Sequence, residues 1–140
     1  MPKYNLLHKE SGMFLTAGLV AIDSLSPLIG TKNVPNYNWT INQNFDGIQQ
    51  GRIFTHVEGS EYDINLYKEE NKTINGIKYE GIACIRSSII ILKTTFRILE
   101  LDGDYYISNR DGNFMTLVKE DDYWQAYLSP DYAKWDLIKE

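Results

Sequence analysis

Near its start the chain reads SGMFLTA (residues 11–17), and near its end it reads DGNFMTL (residues 111–117). Both stretches are Gly, any residue, Phe, a long aliphatic residue, Thr. A Gly in that setting reads as a hairpin turn, because its missing Cβ lets the backbone take the positive φ that a tight reversal needs. A short chain that repeats a turn together with the strand after it is assembled from copies of one small unit, and nothing else in the sequence restricts its fold as much.

The copies extend beyond the turn. With Gly12 laid on Gly112, Leu7 falls on Ile107, Phe14 on Phe114, Leu15 on Met115 and Thr16 on Thr116. Each copy then reaches a Trp in an apolar stretch, Trp39 in NYNWTIN and Trp135 in YAKWDLI. A middle copy follows with one extra residue: Phe54, Gly59, Tyr62 and then TTFRILE, where Phe96 takes the Trp place. On this reading Phe14, Trp39, Phe96, Phe114 and Trp135 fill the core, and Gly12, Gly59 and Gly112 are related by an approximate threefold rotation.

Between these landmarks the apolar pattern is that of strands. KYNLLH, MFLTA, NWTINQ, RIFTHV, YDINLY, GIKYEGIACI, FRILEL, DYYISN, FMTLV, WQAYL and KWDLIK alternate over short lengths and are rich in Tyr, Ile, Phe, Val and Thr, while Gly, Asn, Asp, Ser and Pro separate them. The apolar run SSIIIL (residues 87–92) suits a buried strand. No amphipathic helix is legible. About 12 short strands predict an all-β sandwich or barrel. Two unrelated hairpins in a lipocalin-like or fatty-acid-binding barrel would also carry the repeated stretch, although such barrels place helices near one end.

With 140 residues, 43% apolar and 13% aromatic, one domain (1–140) is expected to bury a single core. The 14 Lys and Arg stand against 19 Asp and Glu, for a net charge of −5 with no basic run. Nucleic acid and anionic membranes are not expected partners, since both require clustered cations. No stretch has the length or apolarity of a signal or a membrane span, so the expected location is cytoplasmic, or secreted without a recognisable signal peptide. The sequons at Asn38 and Asn71 then read as chance matches. The single Cys84 excludes an internal disulfide and reads as a small core residue.

The repeat, its Gly turns and its Trp strands resemble the β-trefoil superfamily, in particular the ricin-B-like lectins with their repeated Gln-x-Trp. The resemblance covers nearly the whole chain and implies a pseudo-threefold barrel of three degenerate repeats, with lobes of approximately 1–48, 49–101 and 102–140. It also implies sugar binding in shallow pockets, one per lobe, where an aromatic ring stacks on the pyranose and an Asp with an Asn or Gln bonds its hydroxyls. In the first lobe Thr16 stands for the Asp, Asn36 for the Asn and Tyr37 for the Gln; in the third, Thr116, Tyr132 and Ala133 do so. The middle lobe offers Asp63 in YDINLY.

The strongest sugar-binding segment is EDDYWQAY (residues 120–127). Alternation puts Tyr123, Gln125 and Tyr127 on one face and Asp122, Trp124 and Ala126 on the other. Whichever face is turned from the core presents aromatics beside a polar group, with Trp124 or Tyr123 expected to stack and Asp122 or Gln125 to bond hydroxyls. Equally, these aromatics can simply close the barrel. His8 and His56 fall just before their hairpin glycines, as repeat architecture alone would place them.

Neither a metal-ligand cluster nor a catalytic motif appears, so no enzyme activity, metal or cofactor is expected. The expected function is a carbohydrate-binding lectin-like protein whose partners are glycans or glycoproteins; pairing as a homodimer stays open. One alternative is a trefoil protease inhibitor acting through the long segment 22–38, stiffened by Pro27 and Pro35. Another is a non-catalytic trefoil that binds a second protein.

Overall fold

The computed structural model describes residues 3–18, 26–35, 37–42, 52–57, 59–68, 72–87, 96–109 and 111–140. They form 14 strands and no helix: β1 Lys3–His8, β2 Met13–Ala17, β3 Ser26–Thr31, β4 Trp39–Asn42, β5 Arg52–Val57, β6 Ser60–Lys68, β7 Lys72–Ile74, β8 Ile77–Tyr79, β9 Gly81–Ser87, β10 Phe96–Leu101, β11 Asp104–Asn109, β12 Phe114–Glu120, β13 Tyr123–Ser129 and β14 Trp135–Lys139. The alternating stretches are the strands, several to the residue.

Twelve strands join in one sheet; β7 and β8 make a separate hairpin. The first strand, β1, lies between β14 and β4, so the two ends of the chain meet in the sheet. From there β4 pairs with β5, β10 lies against β5 and pairs with β11, and β11 returns to β14, a closed circuit of six strands. The pairs β2–β3, β6–β9 and β12–β13 stand outside that circuit. Their outer strands pair with one another: Trp124 opposite Gly30, Tyr127 opposite Ile82, and Pro27 opposite Cys84.

Leu6, Leu15, Trp39, Ile53, Tyr62, Phe96, Ile107, Met115 and Trp135 are all buried in one core. Trp39, Phe96 and Trp135 therefore stand where expected. Phe14 and Phe114 do not: both are only half-buried, and the next residues, Leu15 and Met115, occupy the interior. Strand alternation gives two faces and does not say which is inside. Phe114 packs instead against Tyr106 and Tyr132 on the outside.

Two further corrections concern alignment. Across the first turn Leu7 faces Phe14, and across the third Ser108 faces Phe114, so the first turn is one residue longer. Leu6, not Leu7, is thus the counterpart of Ile107, and both are fully buried. In the middle copy Tyr62 lies as far beyond Gly59 as Leu15 lies beyond Gly12, so no extra residue is needed. Gly12, Gly59 and Gly112 have φ of 73°, 84° and 80°, the left-handed conformation that the hairpin reading requires.

The expected protruding loop at 22–38 is also corrected. Its middle is strand β3, paired with β2 on one side and with β13 and β9 on the other. Gly30 permits this crowding: a Cβ there would come within 2.9 Å of Leu117 Cδ1, 3.0 Å of Trp124 Cβ and 3.1 Å of Met13 Cβ. Residues 88–92 of the apolar run SSIIIL lie outside the described residues; Ser87 ends β9.

Candidate functional site

The β12–β13 hairpin turns at Asp121 and Asp122, with Asp121 at φ 46°, a left-handed value that Asp tolerates better than most residues. Along β13 the alternation holds. Ala126 and Leu128 are buried in the core and Trp124 packs against it. Tyr123, Gln125 and Tyr127 take the other face, opposite Glu120, Val118 and Thr116 of β12.

Part of this outer face is covered by the β7–β8 hairpin. Its two-residue turn, Asn75 at φ 50° and Gly76 at φ 78°, is the Asn-Gly reversal that suits strand twist. The hairpin lays Ile74 and Tyr79 against Val118 and Tyr127, and the Tyr79 and Tyr127 rings sit 5.3 Å apart at 40°. Tyr127 is fully buried as a result.

A polar group closes the edge of this small apolar cluster. Lys72 Nζ donates to Glu120 Oε1 at 2.7 Å and to Tyr127 Oη at 3.2 Å, and lies 5.7 Å from the Tyr127 ring centre. The hydrogen bonds to Glu120 and then Tyr127 raise the Lys72 pKa above its usual value. Burial, followed by a hydrogen bond with Glu120, pushes the Tyr127 phenol up to about 12. Burial also pushes Glu120 up, but hydrogen bonds from Lys72 and Tyr127 and the Lys72 charge outweigh it, so its carboxyl sits below its usual value.

Beyond the covered part the face is open. Tyr123 is 46% exposed, its hydroxyl donates to Gln125 Oε1 at 3.2 Å, and the Glu120 carboxylate is an alternative acceptor for the same proton. A flat half-exposed ring is thereby tethered to an amide beside a carboxylate. Such a surface can stack on an apolar sugar face and exchange hydrogen bonds with hydroxyls.

The predicted site residues separate accordingly. Tyr123 and Gln125 come together, Asp122 is exposed in the adjoining turn, and Trp124 supports the strand from the core side. Tyr127 shares the face but is covered. Asp63 is elsewhere, on β6 opposite Phe54, and only 2% exposed. Asn36 lies outside the described residues. Sequence reasoning missed Glu120, although pairing across the turn puts it opposite Tyr123, and Lys72, which no local pattern links to this hairpin.

A second aromatic surface was also not foreseen. Tyr132, 72% exposed, packs on Phe114 at 4.7 Å and on Tyr106 at 5.5 Å. Among the described residues no group of three or more His, Cys, Asp or Glu is arranged to hold a metal ion, and no helix is long and apolar enough to cross a membrane.

No protein-family model matches the sequence, and no curated protein matches it. Solved structures do. The double-headed arrowhead protease inhibitor A, in complex with two trypsins, aligns with a TM-score of 0.69 at 8% identity over 99% of this chain and 89% of that one. A salivary protein from Culex quinquefasciatus of a cysteine- and tryptophan-rich family aligns at 0.67 and 11% identity, over 98% of this chain and 91% of its own. The botulinum neurotoxin serotype D ligand binding domain, in complex with N-acetylneuraminic acid, aligns at 0.53 and 9% identity over 99% of this chain and 41% of that one. At these identities the likeness concerns the backbone alone, and it makes the fold an all-β, β-trefoil-like one.

Proposed function

We propose that the chain is a non-catalytic glycan-binding β-trefoil of the ricin-B-like kind, a single domain with lobes of approximately 1–48, 49–101 and 102–140. The threefold reading is supported by the three strand pairs whose outer strands meet, and by two indole hydrogen bonds made alike, Trp39 to the Leu15 carbonyl and Trp135 to the Met115 carbonyl. The glycan stacks on Tyr123 and bonds Gln125 and Glu120, with Asp122 at the rim and Trp124 fixing the strand from behind.

The observation that carries this reading is the half-exposed Tyr123 ring, tethered through its hydroxyl to Gln125. Fixing the ring before binding lowers the ordering cost, while water competes for every sugar hydroxyl, so a single site binds weakly. Sialic acid binding, stated for the botulinum domain, makes acidic as well as neutral sugars the first ligands to try. The test is a glycan array probed with the intact chain and with Tyr123→Ala. Binding that the substitution abolishes, with folding intact, supports the site; absence of binding to every glycan refutes the function.

A further inference from the structure

His8 ends β1, paired in register with Met13 of β2 and with Trp135 of β14. Only 1% of it is exposed, and its ring stands edge-on to Trp135, with ring centres 5.0 Å apart at 63°. Its hydrogen bonds fix both nitrogens. The Ser11 backbone N–H points at Nδ1 from 3.3 Å, and an amide can only donate. Ser11 Oγ accepts from the Met13 amide at 3.1 Å and gives its own proton to Nδ1 at 2.7 Å. Nδ1 is therefore an acceptor, and the ring's one proton is on Nε2, which donates to Thr116 Oγ1 of β12 at 3.0 Å.

This arrangement has no room for a second ring proton. On Nδ1 it would face the Ser11 amide donor and force the Ser11 hydroxyl to reverse. The turn itself does not require a titrating residue. In the third hairpin Asn109 holds the corresponding place, and its Oδ1 accepts from the amides of Asp111 at 3.1 Å and Asn113 at 2.9 Å.

We propose that His8 is an acid-released latch: protonation of its ring opens the β1–β2 turn and detaches it from β12. The charged groups on the packed elements do not oppose this. Lys9 of the turn is paired with Asp104 at 2.6 Å, Lys134 beside Trp135 reaches the same carboxylate at 3.5 Å, and Glu120 of β12 is held by Lys72. Glu10 and Lys119 are exposed and Asp136 is half-buried. Burial is what lowers the His8 pKa from 6.5 to about 4. The open turn thus takes up the proton first, and the latch, intact above pH 6.5, loses its hold as the pH falls through about 4. Each pH unit in that window raises the open population by about tenfold.

The protein has two histidines, so its imidazole signals in a nuclear magnetic resonance titration are separable, with His56→Gln assigning them. His8 is expected to titrate well below the ordinary 6.5, near about 4. Hydrogen exchange at the Ser11 and Met13 amides, corrected for intrinsic rate, is expected to rise about tenfold per pH unit between pH 6.5 and about 4 while Leu15 stays protected. His8→Asn, which copies Asn109, should remove that rise. A His8 that titrates near 6.5, or the same pH slope in His8→Asn, overturns the proposal. If His8→Asn does not fold, the unmodified chain decides: His8 protonation with no change at Ser11 and Met13 overturns it equally.

Discussion

The indole nitrogen of Trp135 donates to the backbone carbonyl of Met115 at 2.9 Å, and Trp39 repeats the bond to Leu15 at 3.0 Å. Both indoles are fully buried, so each bond satisfies a donor and an acceptor that have no access to water. Trp135→Phe keeps most of the ring but orphans the Met115 carbonyl, and is expected to cost about 1–3 kcal/mol. Trp135→Ala also leaves a cavity and should cost about 3–5 kcal/mol. Denaturant unfolding of both variants checks the order, and a Trp135→Phe variant as stable as the parent would remove the bond from the account.

Gly30 and Gly112 separate two reasons for a glycine. A Cβ on Gly112 meets nothing within 4 Å, so Gly112→Ala pays only for the left-handed backbone, about 1–2 kcal/mol. At Gly30 the added Cβ presses on Leu117, Trp124 and Met13, where two strand pairs meet. Gly30→Ala should therefore be the more damaging, and should also shift the Trp124 fluorescence. Thermal melts of the two variants decide the matter; Gly30→Ala melting no lower than Gly112→Ala would contradict the packing described.

The β7–β8 hairpin lying over the β12–β13 hairpin leads to an alkaline prediction. Burial and the Glu120 bond hold the Tyr127 phenol protonated to about pH 12, against an ordinary 10.0. The unfolded chain gives up this proton first as the pH rises. The stabilisation is present below about pH 10 and is lost as the pH climbs through about 12. Tyr127 should ionise above the ordinary 10.0 in an ultraviolet titration, and Tyr127→Phe should reduce the late step by one tyrosine, Tyr79 being raised by burial as well. A titration unchanged by the substitution would contradict the buried placement.

Much of the fold was legible because its strands are short, alternating and separated by turn residues; KYNLLH, RIFTHV, FRILEL and DYYISN are strands to the residue. The failures have physical causes. SPLIGT reads as loop because Pro27 and Gly30 disfavour strands, yet β3 is held on both sides, and Gly30 is there for the close approach. Phe14 and Phe114 were placed inside because a period of two marks faces without ranking them. The outer face of β13 was legible at Tyr123, Gln125 and Tyr127. Its cover was not, because Lys72, Ile74 and Tyr79 come from a distant segment whose contacts leave no local pattern.

Amide resonance mapping during titration with the best array sugar locates the glycan proposed for the outer face of the β12–β13 hairpin. Shifts are expected to concentrate at Glu120, Asp122, Tyr123 and Gln125, with smaller ones at Lys72, and to disappear in Tyr123→Ala. Saturable binding with shifts clustered around Tyr132 and Phe114, or in the first or middle lobe, and with Tyr123 unmoved, would contradict that placement.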